Sequence, residues 1–267
     1  MTGVKTGALP ISSALSWCGY RRGGFSSGAA CLESAFRAYA SRPSGDGTGV
    51  GSQTLIDAGL AHGWLLFVRD AWEDAVRRFE FCAELAMKAG DRGGLSRALV
   101  FQGVAERWLG DKAAGMRRCE EGLVQARQSG DLRTIATALV WSYATVGGIG
   151  LDDTARLGLE EALCLSRRCG DPWLEAHAQE GLGDFFREGG SPVEAVVYYQ
   201  AALRGFSSLQ DKWMTAWSLE GLGRAELLSG QNDSAIRHLA EGYLNFVALA
   251  DPENAAYVLV YLGKAEF

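Results

Sequence analysis

Apolar residues recur along this chain with the spacing of helix faces. Leu159, Ala162 and Leu163 fall on one face of a helix, and so do Leu219 and Leu222. Residues three and four apart share a helix face, whereas a strand would alternate apolar and polar residues. No segment of useful length alternates in that way. The pattern therefore predicts an all-α fold.

The helical segments repeat with a period of 40 residues. Five aspartates mark the period: Asp91, Asp131, Asp171, Asp211 and Asp251. A second column, twelve residues after each aspartate, reads Gly103, Tyr143, Gly183, Gly223 and Gly263, and Gly63 occupies the same column one unit earlier. Two further columns hold small residues, Ala75, Gly115, Ala155, Ala195 and Ala235, then Cys82, Gly122, Ala162, Ala202 and Gly242. Aligned columns over most of the chain indicate an internal repeat.

Each column has a physical reason. In a pair such as Gly90-Asp91, the glycine ends one helix in the left-handed conformation, and the aspartate caps the first free N–H groups of the next helix. Glycine inside a helix costs about 1 kcal/mol relative to alanine, so the recurring mid-helix glycine requires a close contact. The small residue twelve positions later is expected to supply it. Each unit is therefore predicted to be an antiparallel helix pair.

The repeat divides the chain into predicted segments. Residues 1–13 are expected to be poorly ordered, 14–42 to form a degenerate first helix pair, and 43–53 to form a glycine-rich connection. The full units and the terminal helix are then 54–90, 91–130, 131–170, 171–210, 211–250 and 252–267. Three or more repeats usually bury a continuous core, so the array of 54–267 is expected to fold on its own.

These columns resemble the tetratricopeptide repeat (TPR). A mostly bulky residue precedes the last small one by three positions, in the column Phe79, Cys119, Leu159, Tyr199 and Leu239. The common TPR unit has about 34 residues, so the helices or turns of this unit are longer. Variants of this length resemble the C-terminal sensor arms of bacterial signal-transduction ATPases, including LuxR-type and SARP-type transcription regulators. The segment 14–36 resembles the lead-in to such an array.

The resemblance implies both a fold and a function. The implied fold is a right-handed superhelical solenoid of antiparallel helix pairs. The implied function is a non-enzymatic scaffold that binds a protein or peptide, as the sensing arm of a bacterial transcription regulator. An ATPase module and a DNA-binding module flank such an arm in this family. The present sequence shows no Walker-type loop and no credible helix-turn-helix. ATP use and DNA binding are therefore not carried over.

Composition adds several exclusions. The chain has 267 residues, a net charge of −6 at pH 7 and 48% hydrophobic residues. That apolar fraction argues against wholesale disorder, and the acidic balance argues against direct nucleic-acid binding, which needs clustered Lys and Arg. No apolar run approaches the ~20 residues of a membrane span.

The cysteines and the N-terminus favour the cytoplasm. Pro10, Ser12 and Ser13 interrupt the first apolar stretch, which fits a secretory signal poorly. The six cysteines form no Cys-x-x-Cys pair, and none lies near a histidine at zinc-ligand spacing. They are expected to be free thiols in a reducing compartment, and neither a metal nor another cofactor is expected.

Catalytic chemistry has weak support in the sequence. The three histidines, His62, His177 and His238, lie in different units, and none neighbours a candidate Ser or Cys nucleophile. The chain is therefore expected not to be an enzyme. A composite site between repeats is the weaker alternative, and it would need strongly perturbed titratable groups in a cleft.

The candidate binding residues follow from the resemblance. In TPR arrays the first helices line a concave groove, through positions i, i+3, i+7 and i+10. Carried over, the candidate partner-binding residues are Arg97, Arg107, His177, Glu180, Asp184, Arg187, Trp217, Glu220, Arg224, Tyr257 and Lys264. Mixed charged and aromatic side chains suit a protein or peptide ligand. The alternative is a small-molecule sensor, with a metabolite held around His177, Asp184, Arg187 and Trp217.

Two irregularities interrupt the repeat. Tyr143 replaces a packing glycine and is followed by Gly147, Gly148 and Gly150, which predicts a looser unit over 131–170 and a hinge. The terminal helix contains Val-Leu-Val-Tyr-Leu at 258–262, although terminal repeats usually have a polar outer face. Either the array continues beyond Phe267, which an end after a first helix favours, or the exposed side meets a partner or a second copy.

Overall fold

The predicted all-α fold is confirmed. The computed structural model describes residues 51–144 and 153–266, together with the isolated Ser34. Within these residues every regular element is an α-helix. The predictions for 1–13 and, Ser34 apart, for 14–42 lie outside the described residues, as does most of the 43–53 connection. None of the described helices is long and apolar enough to cross a membrane.

Each repeat contributes a first helix and a second helix. The first helices are α1 (Ser52–Phe67), α3 (Arg92–Trp108), α5 (Leu132–Tyr143), α7 (Pro172–Glu188), α9 (Lys212–Leu228) and α11 (Pro252–Glu266). The second helices are α2 (Trp72–Ala89), α4 (Lys112–Ser129), α6 (Asp153–Cys169), α8 (Pro192–Ser208) and α10 (Asn232–Ala248). The described residues form two compact units, an N-terminal unit over 51–142 and a C-terminal unit over 143–266.

The predicted aspartate caps and left-handed residues are found at the helix boundaries. The carboxylate of Asp91 accepts a hydrogen bond of 2.9 Å from the backbone N–H of Gly94 and so caps α3. Gly90 ends α2 in the left-handed conformation, with φ of 69°. Gln210 and Ala250 occupy the same column, each with φ of 55°. The boundary geometry is therefore kept even where a side chain makes that conformation less favourable.

The mid-helix glycines bring the two helices of a pair together. A Cβ atom on Gly103 of α3 would lie 2.5 Å from the carbonyl oxygen of Gly115 in α4. Further along α4, a Cβ atom on Gly122 would lie 2.6 Å from the side chain of Val100, which precedes Gly103. The contacts run in opposite directions along the two helices, so the pair is antiparallel. Larger residues at these positions would separate the backbones.

Tyr143 departs from the glycine column, and α6 compensates for it. The Tyr143 ring fills the place where a Cβ atom on Gly158 would lie, so the missing small residue has moved from the first helix to the second. The packing at this position is therefore close rather than open. The predicted hinge depends on residues 147–150, which lie outside the described residues, and it stays a prediction.

Candidate interaction surface on the first helices

The first helices of the C-terminal unit lie side by side. Helix α7 contacts α9, and α9 contacts α11. Because the units repeat every 40 residues, the predicted stripe of each first helix comes beside the stripe of the next. We call this surface the first-helix seam, and its residues are His177, Glu180, Asp184, Arg187, Trp217, Glu220, Arg224, Tyr257 and Lys264. Nine of the eleven candidate residues thus lie along one seam, and four of them are buried: His177, Glu180, Arg187 and Glu220.

Arg187 is the most deeply buried cation of the seam, with 3% of its side chain exposed. Its guanidinium lies 2.8 Å from Asp184 Oδ1 and 2.9 Å from Glu188 Oε1, and it donates to the hydroxyl of Tyr199 at 2.6 Å. The Tyr199 hydroxyl donates in turn to Asp184 at 2.6 Å. Burial lowers the pKa of Arg187, but Asp184 and Tyr199 raise this pKa above its ordinary value. The charge is buried and fully paired, as a buried charge must be.

Arg224 links the three first helices. Its guanidinium donates to Glu220 Oε1 at 3.1 Å and to the hydroxyl of Tyr257 in α11 at 3.0 Å. It also lies 4.4 Å from the ring centroid of Tyr261, a cation–π contact. The carboxylate of Glu188 in α7 is 3.8 Å from the same guanidinium. Glu188 therefore lies between Arg187 and Arg224 and forms an ion pair with each of them.

Glu188 contacts both arginines and is counted with the seam from here on; with Tyr257 and Lys264 it forms the solvent-accessible edge of the seam. The Glu188 side chain is 53% exposed, and Tyr257 is 40% exposed. The ammonium of Lys264 lies 4.8 Å from the Tyr261 ring centroid. Partial burial and the hydrogen bond with Tyr261 raise the pKa of Tyr257 to about 12, so its phenol is neutral at physiological pH. This edge presents an anion, a neutral phenol and a cation to solvent.

The start of the seam buries two titratable groups, His177 and Glu180. Burial lowers the pKa of His177 to about 3, so the imidazole is neutral, and its ring packs edge-on against Trp173 at 4.9 Å. Burial and the nearby Asp184 charge raise the pKa of Glu180 well above its ordinary value. Ser218 of α9 donates a hydrogen bond to Glu180 at 3.3 Å. Burial therefore disfavours the charged form of both groups.

Trp217 provides the aromatic part of the seam. Its ring lies edge-on to Phe246 of α10 at 5.6 Å and to Trp213 at 5.7 Å. It also lies 6.4 Å from Tyr257 of α11. Trp217 therefore packs against both helices that follow α9 and fixes the position of Tyr257.

A second set of contacts joins the first helices at their N-termini. The indole N–H of Trp173 donates to the cap residue Asp211 at 2.9 Å, and that of Trp213 donates to the cap residue Asp251 at 3.2 Å. The two hydrogen bonds join equivalent positions of successive repeats, 40 residues apart. The capping aspartates of α9 and α11 thus also hold the preceding first helix, a role that their capping pattern did not predict.

The two remaining candidates lie in the N-terminal unit, where each joins neighbouring first helices. Arg97 of α3 pairs with Asp57 of α1 at 2.9 Å. Arg107 donates to the backbone carbonyls of Ser142 and Trp141 in α5, at 3.0 and 3.4 Å. The charged groups of both arginines are therefore engaged in contacts within the N-terminal unit.

Sequence reasoning missed Tyr199, Glu188 and Tyr261 as members of the cluster. Tyr199 lies on a second helix and was assigned to the bulky packing column. Its hydroxyl is the signal that could have identified it, because the other members of that column are Phe79, Cys119, Leu159 and Leu239. Glu188 and Tyr261 each come one position after a residue of the predicted stripe. These stripe residues are Arg187 and Val260, the latter three positions after Tyr257.

The groups that the seam presents to solvent are the Glu188 carboxylate, the Tyr257 phenol and the Lys264 ammonium. Such groups recognise charged and aromatic side chains of a ligand and position them. Among the described residues, no group of three His, Cys, Asp or Glu side chains is arranged to hold a metal ion.

No protein-family model and no curated protein sequence matches the chain. Solved structures do resemble it. One is a Signal Transduction ATPase with Numerous Domains (STAND) protein with a tetratricopeptide repeat sensor, from Pyrococcus horikoshii, with a TM-score of 0.59 and 16% identity. The likeness covers 80% of this chain and 34% of that one, so this chain spans about a third of the STAND protein.

A second solved structure is a Rap protein complexed with competence and sporulation factor. It has a TM-score of 0.68 and 11% identity, over 97% of this chain and 85% of the Rap chain. Identities this low relate the folds and leave function open. The repeat columns, the antiparallel pairs and these two likenesses together show that the chain has the fold of a tetratricopeptide-repeat array.

Proposed function

We propose that this protein is a non-enzymatic interaction scaffold and that the first-helix seam of its C-terminal unit binds a protein or peptide. The observation that carries the proposal is the pre-arranged cluster around Arg187 and Arg224. Hydrogen bonds hold both guanidinium groups in one geometry before any ligand arrives. Such pre-organisation lowers the entropic cost of binding.

The accessible edge of the seam would make the first contacts. Glu188 is the exposed acid of the cluster, and it is hydrogen-bonded to one arginine and close to the other. A basic side chain of a ligand would meet this carboxylate. The exposed face of Tyr257 would accept an apolar or aromatic residue beside it. Mixed contacts of this kind are typical of interface hot spots.

The regulatory context is part of the same proposal. The STAND structure contains a tetratricopeptide repeat sensor, and the Rap protein was solved in complex with competence and sporulation factor. By analogy, we place this chain in the cytoplasm as the sensing arm of a bacterial transcription regulator. The free, buried thiols of Cys82 and Cys119 support a reducing compartment.

Selection from a displayed random peptide library tests directly whether the first-helix seam binds peptides. Peptides that bind the whole chain are selected, and their affinities are measured against Glu188→Arg. Reversing this charge places a third cation beside Arg187 and Arg224, so the affinity is expected to fall at least tenfold. Glu194→Arg on α8 is the matched control, because Glu194 is also exposed but lies outside the seam.

The two outcomes separate clearly. Loss of affinity in Glu188→Arg with retained affinity in Glu194→Arg, at equal helicity by circular dichroism, supports the proposal. Equal affinities for the wild-type chain and Glu188→Arg would place the binding surface elsewhere.

A further inference from the structure

Three carboxyl groups follow one another along one side of α7. Glu180, Asp184 and Glu188 are four residues apart, and side chains at this spacing are neighbours on a helix surface. We call these three residues the acid row. Exposure rises along it, because Glu180 is 9% exposed, the Asp184 side chain 21% and the Glu188 side chain 53%. The acid row therefore leads from the buried part of the seam to solvent.

The acid row carries more negative charge than the neighbouring cations neutralise. Like charges four residues apart on a helix repel each other. The cations that face the row are Arg187 and Arg224, and Arg224 is also paired with the buried Glu220. Four carboxyl groups therefore share two guanidinium groups. At the buried end of the row, burial and the charge of Asp184 raise the pKa of Glu180.

The two outer members of the acid row each use one carboxyl oxygen within the protein. Asp184 Oδ1 accepts a hydrogen bond from the Tyr199 hydroxyl and lies 2.8 Å from Arg187. Glu188 Oε1 accepts from Arg187 at 2.9 Å. No residue that the structure describes donates a hydrogen bond to Asp184 Oδ2 or to Glu188 Oε2. These two oxygens belong to side chains one helical turn apart, and both side chains reach solvent.

The C-terminal unit as a whole has the same excess of negative charge. Residues 153–266 contain 17 acidic and nine basic side chains, whereas residues 51–142 contain 12 of each. The acid row therefore lies in the unit that attracts cations, and a cationic ligand would be steered toward it.

We propose that the ligand of the first-helix seam carries a cationic side chain, arginine or lysine, and that this cation binds the second carboxyl oxygens of Asp184 and Glu188. The inference rests on the proposed function and adds the chemistry of the ligand. The ligand supplies the third positive charge of the cluster, and its N–H groups form charge-assisted hydrogen bonds with both carboxylates.

Three synthetic nonapeptide libraries with blocked ends test the proposal. They differ only in a fixed central residue, which is arginine, lysine or citrulline, and every other position holds an uncharged residue. Citrulline keeps the shape of arginine but carries no charge. Each library is passed over the immobilised whole chain, and the retained fraction is measured. Both cationic libraries are expected to bind about tenfold more tightly than the citrulline library, the effect of one charge-assisted hydrogen bond.

Two variants locate the cation. Glu188→Gln removes the charge of the exposed carboxylate but keeps a polar side chain of the same size, and it is expected to abolish the preference for arginine and lysine. Glu194→Gln is the matched control, because Glu194 is an exposed acid of α8 outside the seam, and it is expected to keep the preference. Circular dichroism of each variant establishes that its helices are intact. A preference that persists in Glu188→Gln would show that the cation binds elsewhere, and the proposal would be wrong.

The remaining outcomes distinguish this inference from the proposed function. Equal retention of the three libraries by the wild-type chain, with retention lost in Glu188→Arg, would leave the seam as a peptide-binding surface and overturn the cationic ligand. Retention of none of the libraries would overturn peptide binding by the seam, and the cationic ligand with it.

Discussion

The two compact units place different chemistry on equivalent helices. In the N-terminal unit the first helices meet through aromatic rings. Trp64 of α1, Phe101 of α3 and Trp141 of α5 lie in mutual contact, with ring centroids 4.5 to 5.7 Å apart. In the C-terminal unit, Gly181 and Gly221 occupy the column of Phe101 and Trp141, and neither supplies a ring.

The C-terminal unit uses the glycines of this column in another way. A Cβ atom on Gly221 would overlap the Tyr199 ring, so the absence of a side chain on α9 admits this tyrosine from α8. The tyrosine hydroxyl then reaches Asp184 and Arg187. At this column the first helices of one unit meet through apolar rings, whereas the other unit admits a second-helix tyrosine that pairs with buried charges of α7. The helix-pair contacts are shared, whereas the residues between first helices are free to differ, which is where a binding function can be built.

The largest expected effect is on the aromatic contact. Trp64→Ala removes a ring that is 4% exposed and leaves a cavity among Phe101 and Trp141, which is expected to cost about 3–5 kcal/mol of stability. Urea unfolding followed by circular dichroism measures the loss. Hydrogen exchange should quicken over 51–142 far more than over 153–266, and uniform quickening would contradict a unit-specific role.

A smaller loss is expected from Tyr199→Phe. The ring is kept, but the hydroxyl that joins Asp184 and Arg187 is removed, and an unsatisfied buried partner costs about 1–3 kcal/mol. Tyr198→Phe is the matched control, because Tyr198 is the neighbouring residue and stacks on Phe186 by its ring. Equal stabilities of the two variants would show that the ionic network contributes nothing through Tyr199.

The pH dependence of the C-terminal unit is the third expected difference. Burial raises the pKa of Glu180, so the folded chain holds this proton more tightly than the unfolded chain does. Its contribution to stability is therefore complete below the ordinary glutamate pKa and is lost as the pH rises toward the folded pKa. Glu180→Gln should flatten this decline in unfolding titrations above pH 4.5, and Glu194→Gln should not. A slope unchanged by Glu180→Gln would contradict the assignment.

The smallest effect is expected from the ion pair of the N-terminal unit. The side chains of Arg97 and Asp57 are 32% and 41% exposed, so water and salt screen their attraction. A double-mutant cycle with Arg97→Ala and Asp57→Ala is expected to give a coupling below about 1 kcal/mol. A coupling of several kcal/mol would show that this pair resembles the buried network around Arg187.

The 40-residue columns were sufficient to predict helix pairs and their antiparallel packing. At Gly63, Gly183 and Gly223, however, the nearest contact is the large residue sixteen positions later, and not the predicted small residue twelve positions later. Gly103 and Gly115 meet as their spacing required, because backbone contact is possible only where both side chains are absent. The predicted stripe was also sufficient to place nine candidate residues along the seam between first helices. Helical periodicity fixes which face of a helix a residue occupies, and the repeat aligns those faces.

The partners within that surface could not be predicted in the same way. Nothing in the spacing of Asp184 and Arg187 indicates that a tyrosine from a second helix lies between them. The burial of Glu180 likewise depends on how closely α7 and α9 pack. The peptide-binding role of the seam remains a proposal, because hydrogen bonds within the protein do not identify a ligand.

The sequence by itself determined the repeat, the all-α fold and the face that each residue occupies, because these depend on local conformation and on contacts at fixed spacing. Tertiary structure alone decided which charges are buried, which carboxyl has a raised pKa and which side chains of neighbouring helices pair. Those properties depend on the distance between helices far apart in sequence, since desolvation and pairing act over only a few ångströms.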